Sequence, residues 1–252
     1  MQKLSSSILM KAKCQPNFWR LVRKLENYLE PIKHNQHTHI EEFNPDVKML
    51  HDSYQDFFCQ MKEFNAGVEY QNFNDFVINE ASEYAASGDG VTYIVWNVFS
   101  DTDGRELRRD MVAFYTLGVT AIPYEDRIRL DEEEAYTTGQ TYDIQNCGIP
   151  AVELKMFAVS EKYQNVFFQY QDEDMPIAAW ILKSIINTVE EMSKTLIGCK
   201  AIFLHAVPKA VDFYLRNGFQ FLMENMTPFY SFDAEFMPMF LTLYELHINY
   251  DD

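Results

Sequence analysis

The residues that could do chemistry here are few, and their neighbours decide which chemistry is open to each. His34, His37 and His39 fall in HNQHTHI, directly after Pro31. Three imidazoles so close could hold a metal ion, but no carboxylate or thiol stands at a ligand spacing, so the stretch reads as a solvated loop. Cys14, Cys59, Cys147 and Cys199 are scattered, with no Cys-x-x-Cys pair. That argues against a zinc site or a disulfide framework and suits a reducing, cytoplasmic setting. Cys199 opens the run CKAIFLHAV with no activating base in view and reads as a small buried apolar residue. His205, in the same run, alternates with Phe203 and reads as a core histidine before it reads as a base. Glu153 lies inside the apolar run IPAVELKMFAV. Burial would raise its pKa and suit it to act as a general base near neutrality; a salt bridge to Lys155 is the structural alternative. No Ser-His-Asp order, Walker-type phosphate loop or EF-hand pattern occurs.

These side chains need elements to position them. Residues 45–63 carry Val47, Leu50, Tyr54, Phe57, Phe58 and Met61 on one helical stripe, and 72–86 carry Phe73, Phe76, Val77, Ala81 and Tyr84 on another, closed by SGDG at 87–90. The period then changes. VTYIVWNVF at 91–99 and DMVAFYTLGVTAI at 110–122 flank the turn residues DTDG and predict an antiparallel hairpin. Trp96 and Tyr115 in these strands read as aromatic core, with the lining of a substrate cleft as the alternative. Residues 124–147, with Asp131, Glu132, Glu133 and Glu134, read as a solvated surface connection with little structure. Strands are predicted at 148–160, 198–207, 219–223 and 236–247, and helices at 174–196 and 208–218. Where the 174–196 helix begins, Asp174 and Pro176 supply a carboxylate cap and a first-turn proline. The sum is a mixed α/β sheet in one domain.

Charge narrows the partners. The chain of 252 residues holds 21 Lys+Arg against 38 Asp+Glu, a formal charge of −17. A field of that sign repels nucleic acid and anionic lipid at long range. Residues 1–36 run the other way, with seven basic residues against two acidic ones. Within them Phe18, Leu21, Val22, Leu25, Tyr28 and Leu29 recur at helical spacing until Pro31. A basic helical arm at 1–36 therefore precedes an acidic body at 37–252. The arm docks on that body, or binds a partner or a second copy. No apolar run approaches the ~20 residues of a membrane span.

One family resemblance covers about residues 45–246. CKAIFLHAVPKAVDFYLRNGFQF resembles the C-terminal half of the GNAT N-acetyltransferases: a strand, a short helix with Phe-Tyr and Asn-Gly-Phe, then another strand. IPAVELKMFAVSEKYQ resembles the family's central fourth strand, and FNAGVEYQNFNDFVINEASEY and PMFLTL resemble its toxin-type branch. The resemblance implies a central, mostly antiparallel twisted sheet flanked by helices, acetyl-CoA as co-substrate, and an amine-bearing acceptor: a small molecule, a peptide or an aminoacyl-tRNA, the last disfavoured by net charge. It implies Tyr214 as general acid and Glu153 as general base. The main chain at Ala158 and Val159 would pair with pantetheine, Val159 N–H serving as oxyanion donor, and Pro176, Ile177 and Ala178 would form the pyrophosphate end. The phosphate loop departs from the family pattern. Glu173-Asp174-Met175-Pro176-Ile177-Ala178 keeps only Ala178 of it, puts two carboxylates where phosphates would lie, and loses one N–H to Pro176. A GNAT-fold binding or regulatory module that has lost the cofactor is the second reading of that departure.

Overall fold

The computed structural model describes residues 38–50, 58–227 and 236–246. Its strands are β1 (Thr38–His39), β2 (Pro45–Met49), β3 (Val91–Ser100), β4 (Glu106–Arg129), β5 (Tyr142–Val159), β6 (Val166–Tyr170), β7 (Glu173–Pro176), β8 (Ala201–Ala206), β9 (Gln220–Phe221) and β10 (Met237–Thr242). Its helices are α1 (Gln71–Asp75), α2 (Ala81–Ala86), α3 (Glu132–Thr138), α4 (Ile177–Thr195) and α5 (Val211–Arg216); a π turn, Phe76–Glu80, joins the first two. Seven strands make the main sheet in the order β2-β3-β4-β5-β8-β10-β9, and β1-β6-β7 make a small second sheet. Every pair in the main sheet is antiparallel except β5–β8. The mostly antiparallel, helix-flanked architecture expected from the sequence is what the chain adopts.

Helices cover both faces, which explains why β5 and β8 are apolar on both parities. On one face lies α4, whose buried stripe Ile177, Ile181, Leu182, Ile185 and Val189 follows helical spacing. It packs on Val95, Val152, Leu154, Ile202 and Leu204. On the other face the π turn and α2 set Phe76 and Ala81 against Ile94, Trp96 and Phe114. Further along this face Ile122, Ile149, Ala151, Phe203 and Phe240 are covered by the chain around Met226. Trp96 is fully buried beneath Arg109, and Tyr115 stacks on Tyr93 at 5.0 Å, so both are core residues, as the first reading had it.

Three expectations are corrected. Residues 45–49 form a strand, not the start of a helix. They pair with β3 from Pro45↔Asn97 to Met49↔Tyr93. Val47 and Met49 stay exposed on this edge while Leu50 and Met61 enter the core, so the apparent stripe mixed two elements. Residues 124–147 are ordered: β4 and β5 continue as a ribbon to Arg129↔Tyr142, tipped by α3 between the Asp131 cap and left-handed Gly139. The charged, alternating side chains hid a ribbon exposed on both faces. Third, α4 begins at Ile177 rather than at 174, because 173–176 belong to β7. Gln171 and Asp172, at φ 50° and 68°, close the β6–β7 hairpin with two non-glycine residues in the left-handed region. The basic arm at 1–36, with Cys14, His34 and His37, lies outside the described residues.

Packing of α4 carries much of the stability. Ile185→Ala should cost about 2–5 kcal/mol in urea unfolding, whereas Asn187→Ala, exposed on the same helix, should stay within about 0.5 kcal/mol.

Candidate functional site

The site grows from the one parallel pair in the sheet. β5 and β8 are in register only from Ala151↔Ala201 to Leu154↔Leu204. Beyond that point β8 runs on with β10, through His205↔Pro238 and Ala206↔Met237, while β5 stays with β4 as far as Val159↔Ala113. The two strands part, and the edge of β5 from Lys155 onward faces a wedge-shaped opening. A bulge lies at the parting point: Thr116 pairs with Met156 and Leu117 with Leu154, leaving Lys155 unmatched. A bulge bends its strand and re-aims the residues beyond it.

The register decides which amides reach the opening. Ser160 N–H donates to Val112 C=O at 2.8 Å. The pleat then turns Ala158 toward its partner Phe114 and directs the amides of Phe157 and Val159 away from β4. Of the two main-chain positions carried over from the family, Val159 presents its N–H to the opening. The amide of Ala158 is spent in the β4 ladder; its place is taken by Phe157, which the sequence reading missed and which register alone reveals. The Val159 carbonyl accepts from Gln164 Nε2 at 3.0 Å, and the same amide group donates to Ala66 C=O at 2.9 Å.

α5 approaches this end of β5. The Phe213 and Phe157 rings lie 6.3 Å apart, and Tyr214 packs edge-on against Phe213 and Phe219 at 5.3 and 5.5 Å. Tyr214 is buried, and no hydrogen bond engages its hydroxyl among the described residues. Burial pushes the phenol well above its ordinary pKa, so it stays protonated and can donate.

At the start of α4 the structure revises the sequence reading. Asp174 is not a helix cap. It sits on β7 opposite Gln169, exposed, with His39 Nε2 at 3.8 Å. The N-cap is Pro176, and no side chain of the described residues caps the helix. The first amides of α4, those of Ile177 and Ala178, therefore begin a helix whose positive end no carboxylate satisfies. The Ile177 side chain is fully buried, so it can offer only backbone. The aromatic stretch before the helix is the β6–β7 hairpin, held by Phe43, Phe168 and Trp180 with ring distances of 5.0, 5.4 and 6.4 Å.

On the face away from α4, Glu153 stands between two basic groups. His205 Nδ1 is 3.7 Å from Oε1, and Lys155 Nζ is 3.3 Å from Oε2. Burial alone would raise the Glu153 carboxyl, but the His205 ring and the Lys155 ammonium outweigh it and hold the pKa below the ordinary value. The expected raised pKa is thus corrected, and the salt bridge to Lys155 is present. Four of the other basic groups are held by carboxylates: Arg109 by Glu106 and Asp46, Arg108 by Asp110, Lys194 by Glu190, and Arg216 by Asp212. Cys199 is buried and its thiol pushed up by burial. Among the described residues no His/Cys/Asp/Glu group could hold a metal ion, and no helix is long and apolar enough to cross a membrane.

Comparison with known proteins places this geometry. No family model matches the chain, and no curated protein sequence does. Solved structures do. AtaTR bound with acetyl-CoA matches with a TM-score of 0.52 and 19% identity over 79% of this chain and 94% of that one. A tyrosine-to-phenylalanine variant of KacT matches with a TM-score of 0.51 and 18% identity over 79% and 95%. A similar variant of the toxin AtaT, bound to the C-terminus of the antitoxin AtaR and acetyl-CoA, matches with a TM-score of 0.50 and 18% identity over 79% and 93%. The chain shares the GNAT-type fold of these structures.

The lowered Glu153 pKa has a signed consequence. A carboxyl depressed on folding stabilises above its unfolded pKa, and that stabilisation is lost as pH falls through the folded value. Asp110 behaves alike: burial would raise it, but hydrogen bonds from Lys162 and Tyr163 and the nearby Arg108 hold it low. The urea midpoint should fall from about pH 4.5 downward, and Glu153→Gln should flatten part of that acid limb. An unchanged limb would show that the pair contributes nothing.

Proposed function

We propose that the chain is an acetyl-CoA-dependent N-acetyltransferase acting on a primary amine. The observation that carries this reading is the opening between β5 and β8, with the amides of Phe157 and Val159 directed into it and protonated Tyr214 at the same end. The fold it shares with AtaT and KacT, and the acetyl-CoA bound in two of those structures, support it.

The residues present fit such a co-substrate. An extended pantetheine arm finds, among the described residues, the N–H groups of Phe157 and Val159 directed away from β4 with no strand beyond them. Phosphates find the uncapped start of α4, where the amides of Ile177 and Ala178 suit an anion. Pro176 supplies no N–H there, and Glu173 and Asp174 lower the local potential from the hairpin. The phosphate end therefore contributes less than a glycine-rich loop would. Once bound, the thioester supplies the acetyl group. The N–H of Phe157 or Val159 polarises the carbonyl oxygen. Glu153 takes a proton from the attacking amine, and Tyr214 gives one to the departing sulfur. Ala158 serves by placing its neighbours through the β4 ladder.

Domain division follows the same reading: a basic arm at 1–36 and a GNAT-like domain at 37–252, in a cytoplasmic setting. A protein partner or a second copy suits the arm, in line with the antitoxin bound to AtaT. The amine is that of a small molecule, a peptide or an aminoacyl-tRNA, the last disfavoured by the formal charge of −17.

Calorimetric titration should show acetyl-CoA binding with a Kd of roughly 10–100 μM, about −6 kcal/mol, and desulfo-CoA should bind alike. In a thiol-release assay Tyr214→Phe should cut turnover by roughly 10²–10⁴-fold at unchanged Kd. No binding up to millimolar acetyl-CoA would overturn the reading in favour of a GNAT-fold module without the cofactor.

A further inference from the structure

The proposed reaction leaves one charged group in the groove without a task. Lys155 is the bulge residue of β5, unmatched in the β4 ladder. That side chain lies across Gly118 on the neighbouring strand. A Cβ on Gly118 would come within 2.3 Å of Lys155 Cε and 3.0 Å of Cδ. The missing side chain makes a trough, and the straight lysyl stem fills it. At the trough's end the ammonium meets Glu153 Oε2 at 3.3 Å and the Tyr84 ring at 5.7 Å. A carboxylate and an aromatic face together are a recognition site for a cation. His205 stands at the other carboxylate oxygen, so Oε2 is the one turned to a cation.

We propose that Lys155 occupies a built-in subsite for a primary alkylammonium group, and that this is where the acceptor amine binds. The assignment of the subsite to the acceptor rests on the acetyl-transfer reading; the subsite itself rests on the contacts of Lys155. The occupant defines the ligand class. A straight aliphatic stem fits the trough over Gly118, and a primary ammonium fits between Glu153 and Tyr84. A quaternary or secondary ammonium lacks either the shape or the donors. Lys155 is tethered, so its effective concentration is high, of the order of millimolar or above. An incoming amine has to displace it. While Lys155 is in place Glu153 is its counter-ion, and exchange of the internal ammonium for the acceptor's brings the reacting nitrogen onto that carboxylate. The acceptor ammonium loses one proton to solvent before attack; Glu153 takes a second from the nitrogen as the C–N bond forms and the C–S bond breaks, and Tyr214 protonates the departing sulfur.

Chemical complementation tests this. Lys155→Ala removes the stem and leaves the trough and Glu153 intact. The variant should melt below the wild type and recover several degrees in tens of millimolar n-butylammonium chloride. It should not recover in tetramethylammonium chloride, n-butanol or sodium chloride at the same concentration. Lys155→Thr, whose β-branched side chain suits a strand, serves should the alanine variant fail to fold. The response should vanish when Glu153→Gln is added, and the wild type should not respond. No recovery in either variant, or an equal recovery with tetramethylammonium or without Glu153, would overturn the proposal. Thiol release from acetyl-CoA with n-butylamine separates it from the function it builds on. Recovery in melting without thiol release supports the subsite and overturns acetyl transfer; acetyl-CoA binding with no alkylammonium response overturns the subsite alone.

Discussion

The structure turns on a single constraint: β5 and β8 can stay in register for only four residues. Up to Leu154↔Leu204 they behave as an ordinary buried parallel pair. Past it, each strand is claimed by its other neighbour, β5 by β4 and β8 by β10. The bulge at Lys155 lets β5 bend away without breaking the β4 ladder. Everything assigned to function stands around the resulting gap. α4 packs beneath it through Ile177 and Ile181, α5 brings Tyr214 beside it, and Glu153 sits at its narrow end. Such an opening in the middle of a sheet leaves the N–H groups of Phe157 and Val159 without the strand partner that a closed sheet would supply. Unpaired backbone is costly in a folded protein unless water or a ligand satisfies it, and that cost is the physical reason to expect an extended ligand there.

Electrostatics divides the site into two ends of different character. At the narrow end, opposite charges are already matched: Glu153 has His205 and Lys155 beside it, and its pKa is held down rather than up. At the wide end, the start of α4 is left without a side-chain cap, while the carboxylates of Glu173 and Asp174 stand on the hairpin instead of at the helix. The first end holds a carboxylate against cationic partners. The second offers an anion a few backbone amides and little else. A co-substrate gripped mainly along its pantetheine arm, with a modest contribution from its phosphates, is the binding mode that this distribution favours.

Much of the fold was legible from local pattern, because most elements here are either amphipathic helices or strands buried on both faces. Ile177 to Val189 announced α4 by spacing, and 91–99 with 110–122 announced the central hairpin by composition. What was not legible depends on register or on long-range pairing. Residues 45–49 carry apolar side chains compatible with a helix, and only pairing with β3 makes them a strand. The ribbon at 124–147 has no buried face to betray its period. Asp174 has the right sequence for a helix cap, but the β6–β7 hairpin takes it into a strand first. At the site, the roles proposed for Tyr214, Glu153 and Val159 come from the resemblance. The salt bridge of Glu153 to Lys155 was readable from their spacing, but the turning of Phe157 rather than Ala158 to the opening, and the meeting of Glu153 with His205, follow from strand alternation, a bulge and an alignment of neighbours that no local window contains.

The central claim is that the edge of β5 beyond the parting point receives the co-substrate. Amide hydrogen exchange of residues 155–159, followed by mass spectrometry with and without saturating desulfo-CoA, tests it most directly. The account predicts slowed exchange at Phe157 and Val159, with the first turn of α4 slowed to a lesser degree and the β4–β5 ribbon at 124–147 unchanged. Unaltered exchange at 155–159, with protection appearing elsewhere or nowhere, would contradict it.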